Sequence, residues 1–217
     1  MNAKPGASDI SSRLQGTLRQ RGAALVIALF MLIAVLLLSI SGSQIALQEE
    51  KASRQDRDHQ IAFQAAEAAL MDAELDIENS PSAAKSRSAI FSPHRTEGFT
   101  PGCGAGNSTL HWGLCTRAPE GDPPIWQTVD FFDQSANARS VPYGYFTGHV
   151  LQTGVGTLPA RAPRYVIELI PYNRAGEEAT IEDRVYFYRI TAIGFGARDS
   201  TQVVLQTFYR KDGNQEN

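Results

Sequence analysis

The chain has 217 residues and a formal net charge of −3, a size suited to one folded domain and a balance without the basic excess of a nucleic-acid binder. Two cysteines and four dispersed histidines do not supply the ligand spacing of a zinc site, so no metal is expected.

Residues 1–22 are rich in Ser, Gly, Gln and Arg and show no apolar periodicity, which predicts an unstructured leader. Its basic residues Lys4, Arg13, Arg19 and Arg21 face one acid, Asp9, and such a bias keeps this end in the cytoplasm while the rest is exported. From Ala23 to Leu38 every side chain is apolar, and the first charge after Arg21 is Glu49. Carried through Ser39-Ile40-Ser41-Gly42 to Leu47, this segment meets the roughly 20 residues a helix needs to cross a bilayer. An ordinary secretory signal is cut after its apolar segment. Here the best small-residue site, Gly22 followed by Ala23, precedes it, so a cut there leaves the membrane helix on the mature chain.

No proline occurs between Pro5 and Pro81, and no glycine between Gly42 and Gly98. Residues 48–79 are dense in Ala, Gln, Glu, Arg and Leu, which favour helix. Phe63, Ala66, Leu70, Ala73 and Ile77 recur at steps of three and four, placing them on one face that should pack on a sheet. One helix is therefore predicted from 23 to 79, its first half (23–47) apolar all round and its second half (48–79) amphipathic, with a stop at Asn79-Ser80-Pro81.

Residues 80–217 form the expected exported head. Between 81 and 163 the composition turns to Gly, Pro, Ser and Asn, and short strands are expected at 109–114 and 144–152. Cys103 and Cys115 lie here, and an even pair in an exported domain predicts a disulfide closing the 103–115 loop. Trp112 and Trp126 are expected to plug the core or pack on that disulfide. The last third carries three β-branched and aromatic runs at 164–171, 184–194 and 201–210, a predicted antiparallel meander over 164–210. The fold class is thus α+β: one long N-terminal helix packed on a C-terminal antiparallel sheet, with a loop-rich middle.

These features resemble the precursor of a type IV pilin. Arg21-Gly22-Ala23-Ala24-Leu25-Val26-Ile27-Ala28-Leu29, the helix block from Asp56 to Leu70, and the closing runs Tyr188–Ala192 and Val203–Arg210 are similar to the PilX minor pilins. The resemblance implies that a prepilin peptidase cuts after Gly22 and methylates the new amine of Ala23. It implies residence in the inner membrane as a single-pass protein with a periplasmic head. The apolar helix then passes into the core of a surface filament, and the partners are other minor pilins, the major pilin and the large tip adhesin. The implied function is structural: priming filament assembly and forming the tip complex, with indirect roles in twitching motility and adhesion. In one respect the chain departs from the pattern. Major pilins carry Glu at the fifth position after the cut, where the carboxylate neutralises the amino terminus of the subunit above. Here that position is Ile27. A carboxylate in an apolar setting costs several kcal/mol (on the order of a lost pair) unless matched. Its absence suits a subunit with nothing above it.

No nucleophile elbow, phosphate-binding glycine loop or metalloprotease helix is present, so no enzyme and no cofactor are expected. The acids Glu177, Glu178, Glu182 and Asp183 gather between two predicted strands without EF-hand spacing and read as a solvated loop rather than a calcium site. The competing function is a single-pass inner-membrane protein whose periplasmic head binds a ligand or partner and has no filament role.

Overall fold

The computed structural model describes residues 21–106, 109–172 and 185–211. The chain divides into two units, residues 1–52 and 53–217, and helix α1 (Arg21–Asn79) contributes to both. In the first unit α1 is exposed wherever its side chains are described. Ser39 and Ser41 do not interrupt it. Each hydroxyl donates back one turn, Ser39 Oγ to the Val35 carbonyl at 2.8 Å and Ser41 Oγ to the Leu37 carbonyl at 2.9 Å.

The second unit builds one sheet on the remainder of α1. The order is β1 (Leu114–Thr116), β3 (Arg164–Tyr172), β4 (Val185–Phe195), β5 (Gln202–Tyr209), with β2 (Val141–Pro142) also on β3. β3, β4 and β5 form the antiparallel meander the sequence predicts, with Tyr165 opposite Ala192 and Ala192 opposite Leu205. β1 departs from it by lying parallel to β3.

Side chains alternate between the two faces of a strand, and both faces of β3 and β4 are covered. One face puts Tyr165, Ile167, Leu169, Tyr188, Ile190 and Ala192 against Ala69, Ala73 and Ile77 of α1. The other puts Val166, Ile193 and Phe195 under Cys103, Cys115, Ile125, Val129 and Phe131 of the middle segment. Double coverage explains why these two strands read as nearly continuous apolar runs. β5 alternates exposed and half-buried, because only its helix side is covered.

The helix stripe is narrower than its apolar periodicity suggests. Ala66, Ala73 and Ile77 are buried, but Phe63 and Leu70 lie half-buried at its flanks. The centre belongs to Ala62, Ala65, Ala66, Ala69 and Ala73. Gly194 in β4 explains why. A Cβ there would stand 2.1 Å from the Ala62 carbonyl oxygen and 2.3 Å from the Ala66 nitrogen. Strand and helix backbones touch at this point, which leaves room for alanine and none for Phe or Leu.

Two short-strand expectations fail. The predicted strand at 109–114 is displaced to Leu114–Thr116, and 144–152 is a set of turns. Gly144 and Gly148 take positive φ (75° and 79°), and Gly148 N–H bonds the Gly144 carbonyl at 2.8 Å, which curls the backbone away from any ladder.

Candidate functional site

The N-terminal unit presents an apolar surface without cover among the described residues. Fifteen large apolar side chains from Leu25 to Leu47 are each between 43 % and 73 % exposed. Complete burial of such a side chain is worth roughly 1.5–3 kcal/mol, so leaving the set in water forgoes tens of kcal/mol by the same rule. The chemistry of this surface is therefore a demand for lipid or for other apolar helices. α1 is long and apolar enough to cross a membrane. Gly22 and Ala23 sit exposed at its start, and Ile27 is 59 % exposed among its apolar neighbours.

The rest of α1 is fixed to the head by three buried aspartates that sequence periodicity did not single out. Asp58 accepts from Arg198 Nε at 2.8 Å, from the Arg198 amide at 3.2 Å and from the Thr201 hydroxyl. Burial pushes its carboxyl up, but these donors together outweigh burial and hold it below the usual range. Asp72 accepts from the Gly144 amide at 2.7 Å and from the Thr147 hydroxyl, with His149 Nδ1 at 3.5 Å. Burial dominates there and pushes that carboxyl up. Asp76 receives Arg87 Nη2 at 2.6 Å, Arg87 Nε at 3.0 Å and the Tyr165 hydroxyl at 2.9 Å. Burial, followed by the Asp76 charge, pushes the Tyr165 phenol well above its ordinary value. Arg87 is itself fully buried. Its guanidinium donates to the Leu110 and Trp112 carbonyls and lies 3.7 Å from the Phe146 ring centroid.

One signal for these residues was available. Asp58, Asp72 and Asp76 fall at three- and four-residue steps in register with Ala62, Ala65, Ala69 and Ala73. A carboxylate inside an apolar stripe implies a buried donor, but its partners Arg87, Thr147 and Arg198 are far along the chain.

Cys103 and Cys115 form a disulfide, and Cys115 lies in β1 with no exposure. Trp112 is a core plug whose indole nitrogen donates to the Ala138 carbonyl at 2.6 Å. Trp126, on α2 (Ile125–Thr128), is 36 % exposed and so departs from the expectation of a plug. α2 is a single turn that buries Ile125 and leaves Trp126 on its outer side. The acidic cluster Glu177, Glu178, Glu182 and Asp183 lies outside the described residues. Among the described residues no group of three or more His, Cys, Asp or Glu is placed to hold a metal ion.

The buried aspartates and Arg87 thus fasten α1 to the head, and the apolar stretch of α1 is a surface to be covered. Comparison with known families agrees. The PilX N-terminal family matches residues 21–70, and the family described as type IV pilus assembly protein PilX, C-terminal, matches residues 111–211. Neither the curated proteins nor the solved structures returned a match. The two family matches fall on separate segments that together span most of the chain, one carrying the apolar helix and the other the sheet, and the chain belongs to the PilX family of type IV pilus assembly proteins.

Proposed function

We propose that the chain acts as a minor pilin, cut after Gly22, methylated on Ala23, and held by residues 23–47 first in the inner membrane and then in a filament core. The carrying observation is the apolar helix, uncovered among the described residues, that contains the Gly22–Ala23 junction in its first turn, within the N-terminal family match over residues 21–70. Lipid and a bundle of apolar helices cover such a surface about equally well. Transfer between them therefore costs little hydrophobic free energy. On this reading residues 1–22 are a cytoplasmic leader, 80–217 a periplasmic head, and a prepilin peptidase is the first partner. Other minor pilins, the major pilin and the tip adhesin follow.

Ile27 favours a place at or near the filament tip, in a complex that primes assembly and serves motility and adhesion only indirectly. A subunit with no amino terminus stacked above it has no charge for a carboxylate to neutralise. Mass spectrometry of the mature protein tests the reading. An N-terminal peptide starting at methylated Ala23 is expected, and an intact Met1 would refute processing. Ile27→Glu tests the position: the variant should redistribute from tip to shaft in sheared pili. Unchanged assembly and unchanged position would overturn the electrostatic argument.

A further inference from the structure

The sheet has two edges, and they are treated differently. The β1 edge is closed. The Leu114 carbonyl accepts from Thr100 N–H at 3.4 Å and Gly104 N–H at 3.1 Å, and Thr116 N–H donates to the Thr100 carbonyl at 3.0 Å. The β5 edge pairs with β4 on one side, and among the described residues no backbone partner meets it on the other.

The register shows which groups are open. Gly196 N–H bonds the Thr201 carbonyl at 2.8 Å, and hydrogen-bonded pairs alternate along an antiparallel ladder. Val203, Leu205 and Thr207 therefore turn their backbone groups toward β4, and Gln202, Val204, Gln206 and Phe208 turn theirs outward. The side chains of these same four residues occupy the uncovered face, with Val204 47 % and Phe208 63 % exposed. Within β5 itself, protective devices are missing. Edge strands are ordinarily guarded by lysine, proline, a bulge or brevity. β5 is eight residues, Gln-Val-Val-Leu-Gln-Thr-Phe-Tyr, with no charge, no proline and no break in register.

We infer that the β5 edge accepts an extended segment of a different pilus protein, which adds a strand to the sheet and lays apolar side chains beside Val204 and Phe208. This rests on the pilus-subunit reading above. A second copy of the chain does not fit. Because β1 is closed, two copies could pair only β5 to β5, antiparallel, as a closed couple. β5 runs in the same direction as its helix, with Thr201 beside Asp58 and Tyr209 beside Glu78. An antiparallel couple would therefore run residues 53–79 of α1 in the two copies in opposite directions. On the pilus-subunit reading, neighbouring subunits carry their helices in the same direction and do not meet that way. An unlike partner already held nearby through its own apolar helix needs only a local contact, since tethering raises its effective concentration.

The test uses the full chain in its own host. A photo-crosslinking benzoylphenylalanine replaces Gln206, or Gln152 as a control, and crosslinked peptides are identified by mass spectrometry. The expected product joins Gln206 to a peptide of another pilus subunit and is missing from the control. Val204→Pro removes one outward N–H without touching the β4 ladder. It should cut the yield about tenfold, the effect of one lost hydrogen bond. Val204→Thr, which keeps the N–H, should retain the product. An oxidised Cys103–Cys115 bond and unchanged protein level show that each variant is folded. A product undiminished by Val204→Pro, a product with a second copy only, or no product from Gln206 overturns the inference. The mature N-terminus separates the two readings. Methylated Ala23 with any of those outcomes sinks strand addition alone, whereas an intact Met1 sinks the pilus reading beneath it.

Discussion

Gly194→Ala is the smallest change that probes how the head is held on its helix. The added Cβ would lie 2.1 Å from the Ala62 carbonyl oxygen, 2.3 Å from the Ala66 nitrogen and 3.0 Å from the Ala65 carbonyl carbon. Ordinary contact begins at 3.4 Å, and the obstacles are helix backbone, which cannot rotate aside. β4 and α1 must part by about 1 Å, a gap that forfeits a quarter to a half of the dispersion energy along the contact. Overpacking of this kind costs roughly 1–3 kcal/mol. The same displacement stretches the 2.8 Å bond from Arg198 Nε to Asp58 out of hydrogen-bond range, and a bond to a charged group is worth about 1.5–3 kcal/mol. Against this, Ala in place of Gly restricts the unfolded chain and returns about 0.4–1 kcal/mol. The net expectation is a loss of about 3–4 kcal/mol, a large part of a typical domain's stability. Urea unfolding of the full chain in detergent micelles, followed by the fluorescence of buried Trp112, measures it. A loss below about 1 kcal/mol would show that the helix moves away freely and that the contact does not set the helix position.

Other outcomes follow from the polar clamps and the disulfide. Arg87→Met strands the buried Asp76 carboxylate and should cost about 3–5 kcal/mol in the same assay, while adding Asp76→Leu should recover much of that loss. A double variant no better than the single would refute an uncompensated charge as the cause. Asp58 has its folded pKa depressed, so its contribution is present above the unfolded value and is lost as pH falls through the folded one. Asp58→Asn should accordingly flatten the decline in stability on acidification below the ordinary Asp range; an unchanged acid limb would contradict this. Asp72 has the opposite sign. Its folded pKa is raised, so stability declines as pH rises from the ordinary Asp value through the folded one, and Asp72→Asn should remove that decline. Cys103→Ser with Cys115→Ser should lower stability by about 2–5 kcal/mol. An equal loss on reducing the parent would assign the effect to the bond itself, and no loss in either would refute it.

The helical and strand elements were legible because their signals are local. An apolar run without a charge from Gly22 to Gln48, a long stretch free of proline and glycine, and three β-branched runs each fix their element through neighbours in sequence. The middle of the chain was not legible for the converse reason. Residues 144–152 look like a strand until Gly144 and Gly148 adopt positive φ and Asp72, more than seventy residues earlier, takes the Gly144 amide. Nor could periodicity choose between Phe63 and Ala62 as the centre of the stripe, since that choice is made by Gly194, in a strand far along the chain.

By itself the sequence determined the apolar segment, its basic flank, the small-residue junction at Gly22–Ala23 and the hydrophobic residue at Ile27. These are matters of composition and order, and each is carried by one segment of the chain at a time. Only the tertiary structure decided which carboxylates would be buried, how closely helix and sheet approach, and that one edge of the sheet is closed while the β5 edge has no backbone partner among the described residues. Those properties are pairwise. They depend on where backbone groups from distant parts of the chain find partners, and an unpaired edge exists only once every other strand has been placed.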